Sequence, residues 1–137
     1  MLRFRKKRAG SGETVTDCDA RVALRRYSSS DPRKKSDQME LYIHRIIAKR
    51  CGWQKGDRVL VDFDESTGRW ILTRSNDDDA YRLSITGGQR SRREYNWLSV
   101  KFTVTDEDSR TVFTNGSTSK KLSVTEATTS HVVAVAQ

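Results

Sequence analysis

The chain has 137 residues, of which 34% are hydrophobic and 32% charged; this suits one domain, or one small domain with tails, and excludes a large apolar core. Twenty-six Lys and Arg against 18 Asp and Glu give a formal net charge of +8, which favours a polyanionic partner, nucleic acid or an anionic surface. No apolar run is long enough to cross a bilayer as a helix, and the basic start is not followed by the apolar stretch of a signal peptide. A cytoplasmic protein without membrane association is therefore expected.

Residues 1–36 read as a basic, largely flexible arm with a short strand in it. Arg3, Arg5, Lys6, Lys7 and Arg8 precede Gly10-Ser11-Gly12, a cationic cluster on a flexible link that is either simply solvated or gathers phosphates after docking. Alternation from Ala20 to Tyr27, with Val22 and Leu24 on one face, predicts the strand. Ser28 to Ser36 is a loop by composition, holding the only proline, Pro32, and the cations Arg33, Lys34 and Lys35.

Residues 37–126 read as a β-rich core with a helix near 38–51. Met39, Ile43, Ile46 and Ile47 recur at spacings of three and four, Asp37 with Glu40 offers a capping box, and Gly52 stands where a left-handed cap is wanted. A second reading makes Leu41-Tyr42-Ile43 a strand entering a shorter helix that begins near His44. Val59 to Phe63 and Arg69 to Thr73 then form a β-hairpin around the loop Asp64 to Gly68. The acidic run Asp77-Asp78-Asp79 is a solvated turn rather than a metal site.

Further strands are expected at Tyr81 to Thr86, Trp97 to Thr105, Arg110 to Thr114 and Leu122 to Thr125, with a tight hairpin turn at Asn115-Gly116. Gly87 to Arg93 is a flexible loop carrying Arg90, Arg92 and Arg93. Leu98, Val100, Phe102 and Val104 share one face of the following strand. Trp97 falls on its polar face near the arginine loop, either packed under a neighbouring loop or a dimer contact, or touching a ligand. Residues 127–137 form a tail that adds an edge strand or stays mobile. The fold class is mainly β with one short helix (α+β): a small β-barrel or swapped-hairpin unit plus additional antiparallel strands.

No catalytic or nucleotide-binding fingerprint occurs, and the carboxylates concentrate in loops, so a non-enzymatic protein without cofactor is expected. Cys18, Cys51, His44 and His131 lack zinc-ligand spacing, and Cys51 reads as a buried thiol on the helix. The chemistry on offer is cationic. Arg5, Lys6 and Lys7, then Arg45, Lys49 and Arg50, then Arg90, Arg92 and Arg93 with Trp97, are the candidate nucleic-acid-binding residues. Such clusters neutralise phosphates and release counterions, and arginine's planar fork also suits guanine edges.

Leu41 to Arg74 resembles the AbrB and MazE type of swapped-hairpin transcription factor. Leu41-Tyr42-Ile43 matches the family's apolar entry strand, with an earlier short strand to be sought before Pro32, and Ile46 to Arg50 matches its helix. Cys51-Gly52-Trp53 takes the place of the leucine-glycine step, Gln54 to Val59 matches the Gly-Asp turn, and Trp70-Ile71-Leu72 the closing strand. The family's proline is His44 here, and the C-terminal β segment has no counterpart in the minimal family domain. The resemblance implies an interleaved homodimer with a pooled barrel, whose arginines near the entry strand meet DNA.

These readings converge on a small basic DNA-binding regulatory protein of bacterial or phage type, binding as a homodimer through cationic loops. Two alternatives stand beside it. One is a phage-type modulator or inhibitor of a host enzyme, a protein partner meeting the surface around Trp97. The other is a single-stranded nucleic-acid-binding barrel that stacks bases on Trp97, Tyr95 and Tyr81.

Overall fold

A computed structural model describes residues 19–25, 37–86, 96–114 and 116–137 of the chain. The elements are β1 (Ala20–Arg25), β2 (Gln38–His44), α1 (Arg45–Cys51), β3 (Arg58–Asp64), β4 (Arg69–Arg74), β5 (Tyr81–Arg82), β6 (Ser84–Thr86), β7 (Trp97–Thr103), α2 (Asp106–Val112), β8 (Ser119–Ala127) and β9 (His131–Ala136). The strands form one antiparallel sheet in the order β5-β3-β4-β9-β8-β1-β2-β7-β6.

The two edge strands of that sheet, β5 and β6, are neighbours in the chain with only Leu83 between them. The Leu83 N–H donates to the Asp57 carbonyl (2.8 Å), and its own carbonyl accepts from the Gly56 N–H (2.9 Å). One extended segment thus pairs with β3 at its start and with β7 at its finish. The sheet curls into a nearly closed barrel, which shortens the exposed edges that an open sheet would offer to other chains.

Period-2 alternation fills the interior. Val22 stands beside Leu41 on one side, and Leu41 beside Val100; all three are buried, as are Ala20, Ile43, Leu98, Leu72, Leu122 and Val132. A one-residue slip of β2 would carry its whole apolar set outward, so burial fixes the register. The ends of the barrel are covered by the helices. At one end Ile47, Ala48 and Cys51 of α1 are buried together with Trp53, whose indole N–H donates to the Thr129 carbonyl at 3.0 Å, in the turn between β8 and β9. At the other, Ser109, Val112 and Phe113 of the α2 segment are buried.

Several expectations are corrected. The helix begins at Arg45 rather than Met39, as in the second reading of that segment. Met39 and Ile43 fit both periods, Leu41 only that of a strand, and pairing with β1 on one side and β7 on the other selects the strand. No helix therefore starts at Asp37 for a capping box to serve; His44 is the cap, its Nδ1 accepting from the Ile46 N–H at 3.2 Å. Ile46, expected on the apolar face, is 45% exposed. Gly52 does take the left-handed conformation (φ 74°), its N–H bonded to the Lys49 carbonyl.

Residues 110–112, expected in a strand, lie in α2. Thr105 caps that helix by accepting from the Asp108 N–H at 3.1 Å, and Asp106, Glu107 and Asp108 place negative charge at its positive end. Gly116 (φ 79°) follows a helix and so does not join two strands; Asn115 lies outside the described residues. β1, expected within an arm, and β9, expected as a tail or edge, both sit in the interior of the sheet. The boundaries expected at 36/37 and 126/127 therefore run through a single sheet.

Candidate nucleic-acid interface

The strands of the β6-β7-β2-β1 region bring several of the candidate residues to one end of the barrel. β2 terminates at His44, which faces Trp97 of β7, and Trp97 in turn faces Thr86 of β6. The His44 N–H donates to the Asp19 carbonyl (2.9 Å), the Arg45 N–H to the Asn96 carbonyl (3.1 Å), and the Asn96 N–H to the Thr86 carbonyl (3.2 Å). Asp19, Arg45, Thr86 and Asn96 are thereby fixed as neighbours at the end covered by α1.

Chain connectivity does the rest. Residues 1–18 join the barrel at Asp19, and residues 87–95 join it at Thr86 and Asn96. The segments bearing Arg5, Lys6 and Lys7 and bearing Arg90, Arg92 and Arg93 lie outside the described residues, but their points of attachment are at this end, beside Arg45 and Trp97. Residues 26–36, with Arg33 to Lys35, attach instead at Arg25 and Asp37, the opposite end of β1 and β2. The length of β2, roughly 20 Å at strand rise, separates the two ends.

Within α1, Arg45 and Lys49 are one helical turn apart, with Arg50 next to Lys49 in the last turn. Lys49 and Arg50 are exposed and Arg45 is half-buried. Trp97 is also half-buried. Its ring meets His44 edge-on, centroids 5.4 Å apart at 90°, and Tyr42 at 6.0 Å and 72°, an arrangement favoured by the aromatic quadrupole. His44 is buried and committed on two sides, to Trp97 and to the Ile46 N–H. Burial pushes the Cys51 thiol up, partly offset by the nearby Arg50 guanidinium.

The outward face of the sheet beside Trp97 carries cations that sequence reasoning did not assign. Lys121, Arg21, Tyr42 and Ser99 are aligned across β8, β1, β2 and β7. Glu40 lies on the same face, facing Lys101, and is buried. The Tyr42 hydroxyl donates to Glu40 Oε1 at 2.7 Å and the Arg25 guanidinium meets the same oxygen at 3.0 Å. Tyr42 is pushed up from its ordinary pKa by burial first and by its bond to Glu40 second. Alternation of Arg21 with Val22, and of Lys101 with Val100, was the available signal; the lateral row depends on register, which no local pattern contains.

The acidic side of this end lies elsewhere around the barrel. Asp57 pairs with Arg74 at 3.3 Å, and Arg58 donates to the Asn76 carbonyl at 3.1 Å, beside the Asp77 to Asp79 run. Tyr81, a candidate stacking partner of Trp97, packs 5.9 Å from Phe102, towards the other end of β7. Trp97 and Tyr81 do not form one platform, and Tyr95 lies outside the described residues. Among the described residues there is no group of three or more His, Cys, Asp or Glu side chains able to hold a metal ion. The chain matches no family model, and comparison with curated proteins and with solved structures gives no match.

Proposed function

We propose that this is a nucleic-acid-binding protein, one that acts by binding rather than by catalysis. Within that class it is a small DNA-binding regulator whose binding face is the α1 end of the barrel. The observation that carries the reading is the hydrogen-bonded meeting of Asp19, Arg45, Thr86 and Asn96, because it puts the points where residues 1–18 and 87–95 attach at the same end as α1.

Phosphates are the first target of such a face. Arg45, Lys49 and Arg50 line up on α1 as backbone contacts, each neutralised phosphate contributing about −0.9 to the slope of log affinity against log salt. Trp97, held edgewise by His44 and Tyr42, supplies a rigid apolar surface beside them. The nine described strands pair with one another within one chain. Fluorescence anisotropy with mixed-sequence duplex and single-stranded DNA tests the proposal. Duplex binding at low salt that weakens steeply with added salt is expected; absence of binding to either form at low salt overturns it.

A further inference from the structure

The opposite end of the barrel carries a separate cavity of about 220 Å³, between the β3–β4 hairpin and α2. Among its lining residues Met39 and Trp70 are buried, and Phe63 and Phe102 are half-buried. The rings are tilted towards one another rather than stacked flat: Phe63 and Trp70 have centroids 4.8 Å apart at 48°, Trp70 and Phe102 6.0 Å at 55°. Two acidic residues also line it, both exposed: Glu65 from the hairpin loop and Asp108 from the first turn of α2. Lys120 is directed elsewhere, its ammonium bonded to the Val112 carbonyl and lying 5.7 Å from the Phe113 ring centroid.

We infer that this cavity binds a small organic cation, its apolar body among Phe63, Trp70 and Phe102 and its protonated nitrogen at Glu65 and Asp108. Aromatic faces attract cations through their quadrupole, and carboxylates form the stronger, charge-assisted hydrogen bonds with a protonated amine. An apolar cavity of about 150 Å³ accommodates benzene, so this one has room for a ring with a short amine-bearing arm. A neutral ligand of the same shape forgoes the charge-assisted bond, and both carboxylates stay hydrated. An anion is repelled by them.

The test is protein-observed NMR on the full chain, following the Trp70 indole N–H while adding benzylammonium, benzyl alcohol or benzoate. Benzylammonium is expected to shift that signal saturably with a Kd on the order of 1 mM, as suits so small a ligand, and benzyl alcohol to bind at least about tenfold more weakly. Benzoate should leave the signal unmoved. Glu65 and Asp108 are exposed, so the double variant Glu65→Gln/Asp108→Asn retains the fold and should reduce benzylammonium to the affinity of the alcohol. No saturable shift, equal affinity for amine and alcohol, or unchanged binding by the double variant each overturns the inference. None of these outcomes bears on DNA binding at the far end.

Discussion

Glu40 is the residue whose chemistry departs furthest from its sequence signal. A glutamate between Met39 and Leu41 reads as the polar face of a helix; in the barrel it is buried on the outward side of β2 with Tyr42 and Arg25 on one of its oxygens. Glu40→Gln retains the shape but loses the ionic part of both contacts. Because Arg25 is itself 55% exposed, the guanidinium left behind is solvated, and the expected cost is about 1–2 kcal/mol by urea denaturation. The raised pKa of Tyr42 means that the fold holds a proton which the unfolded chain releases. That contribution to stability is complete below the unfolded value near 10.0 and is lost as pH rises through the higher folded value. Glu40→Gln should move Tyr42 to a lower pKa, read by phenolate absorbance, while the shift due to burial remains. Trp97's polar-face position was legible from alternation, whereas its contact with His44 was not, since the two are far apart in the chain and only strand register joins them.

At the scale of elements, the end of α1 was written in the sequence and its beginning was ambiguous. Gly52 marks the end because φ of 74° is a conformation that side chains with a Cβ adopt only under strain. Nothing lies within 4 Å of the position a Cβ would take, so Gly52→Ala is expected to cost about 1 kcal/mol through backbone strain alone, measured as a lowered thermal midpoint. The beginning was obscured because Met39 and Ile43 are compatible with either period. α2 failed for a different reason: the β-branched Thr111 and Val112 resemble strand residues, although Thr105 followed by three acids is an N-terminal signal. Thr105→Ala removes the acceptor for the Asp108 N–H and should cost about 1 kcal/mol, again by thermal or urea denaturation. The hairpin of β3 and β4 was legible almost to the residue, since strand alternation and turn residues there agree with each other and with the tertiary pairing.

For the whole molecule, the decisive features are non-local. β1 and β9 come from the two outer parts of the chain and lie inside the sheet, β9 joining β8 to β4 and β1 joining β8 to β2. A chain ending at Ser130 lacks β9, leaves Leu72 and Leu122 without their neighbour, and is expected to lose cooperative unfolding and the β-sheet circular dichroism signal. A mobile tail would predict no such loss. The same topology polarises the molecule: the α1 end gathers the attachment points of two cationic segments, while the α2 end holds an aromatic cavity lined also by Glu65 and Asp108. The candidate cations on α1 were legible as residue types, but the nearness of α1 to Asp19, Thr86 and Asn96 was not, because it arises from the pairing of β6 with β7 and β7 with β2. The measurement that tests the central claim most directly is the salt dependence of duplex DNA binding by the full chain and by Arg45→Gln/Lys49→Gln/Arg50→Gln, with circular dichroism to verify the fold. If these side chains meet phosphates, the variant binds more weakly and its log–log salt slope flattens by about 2–3, one phosphate per lost cation; an unchanged slope in a folded variant would contradict the account.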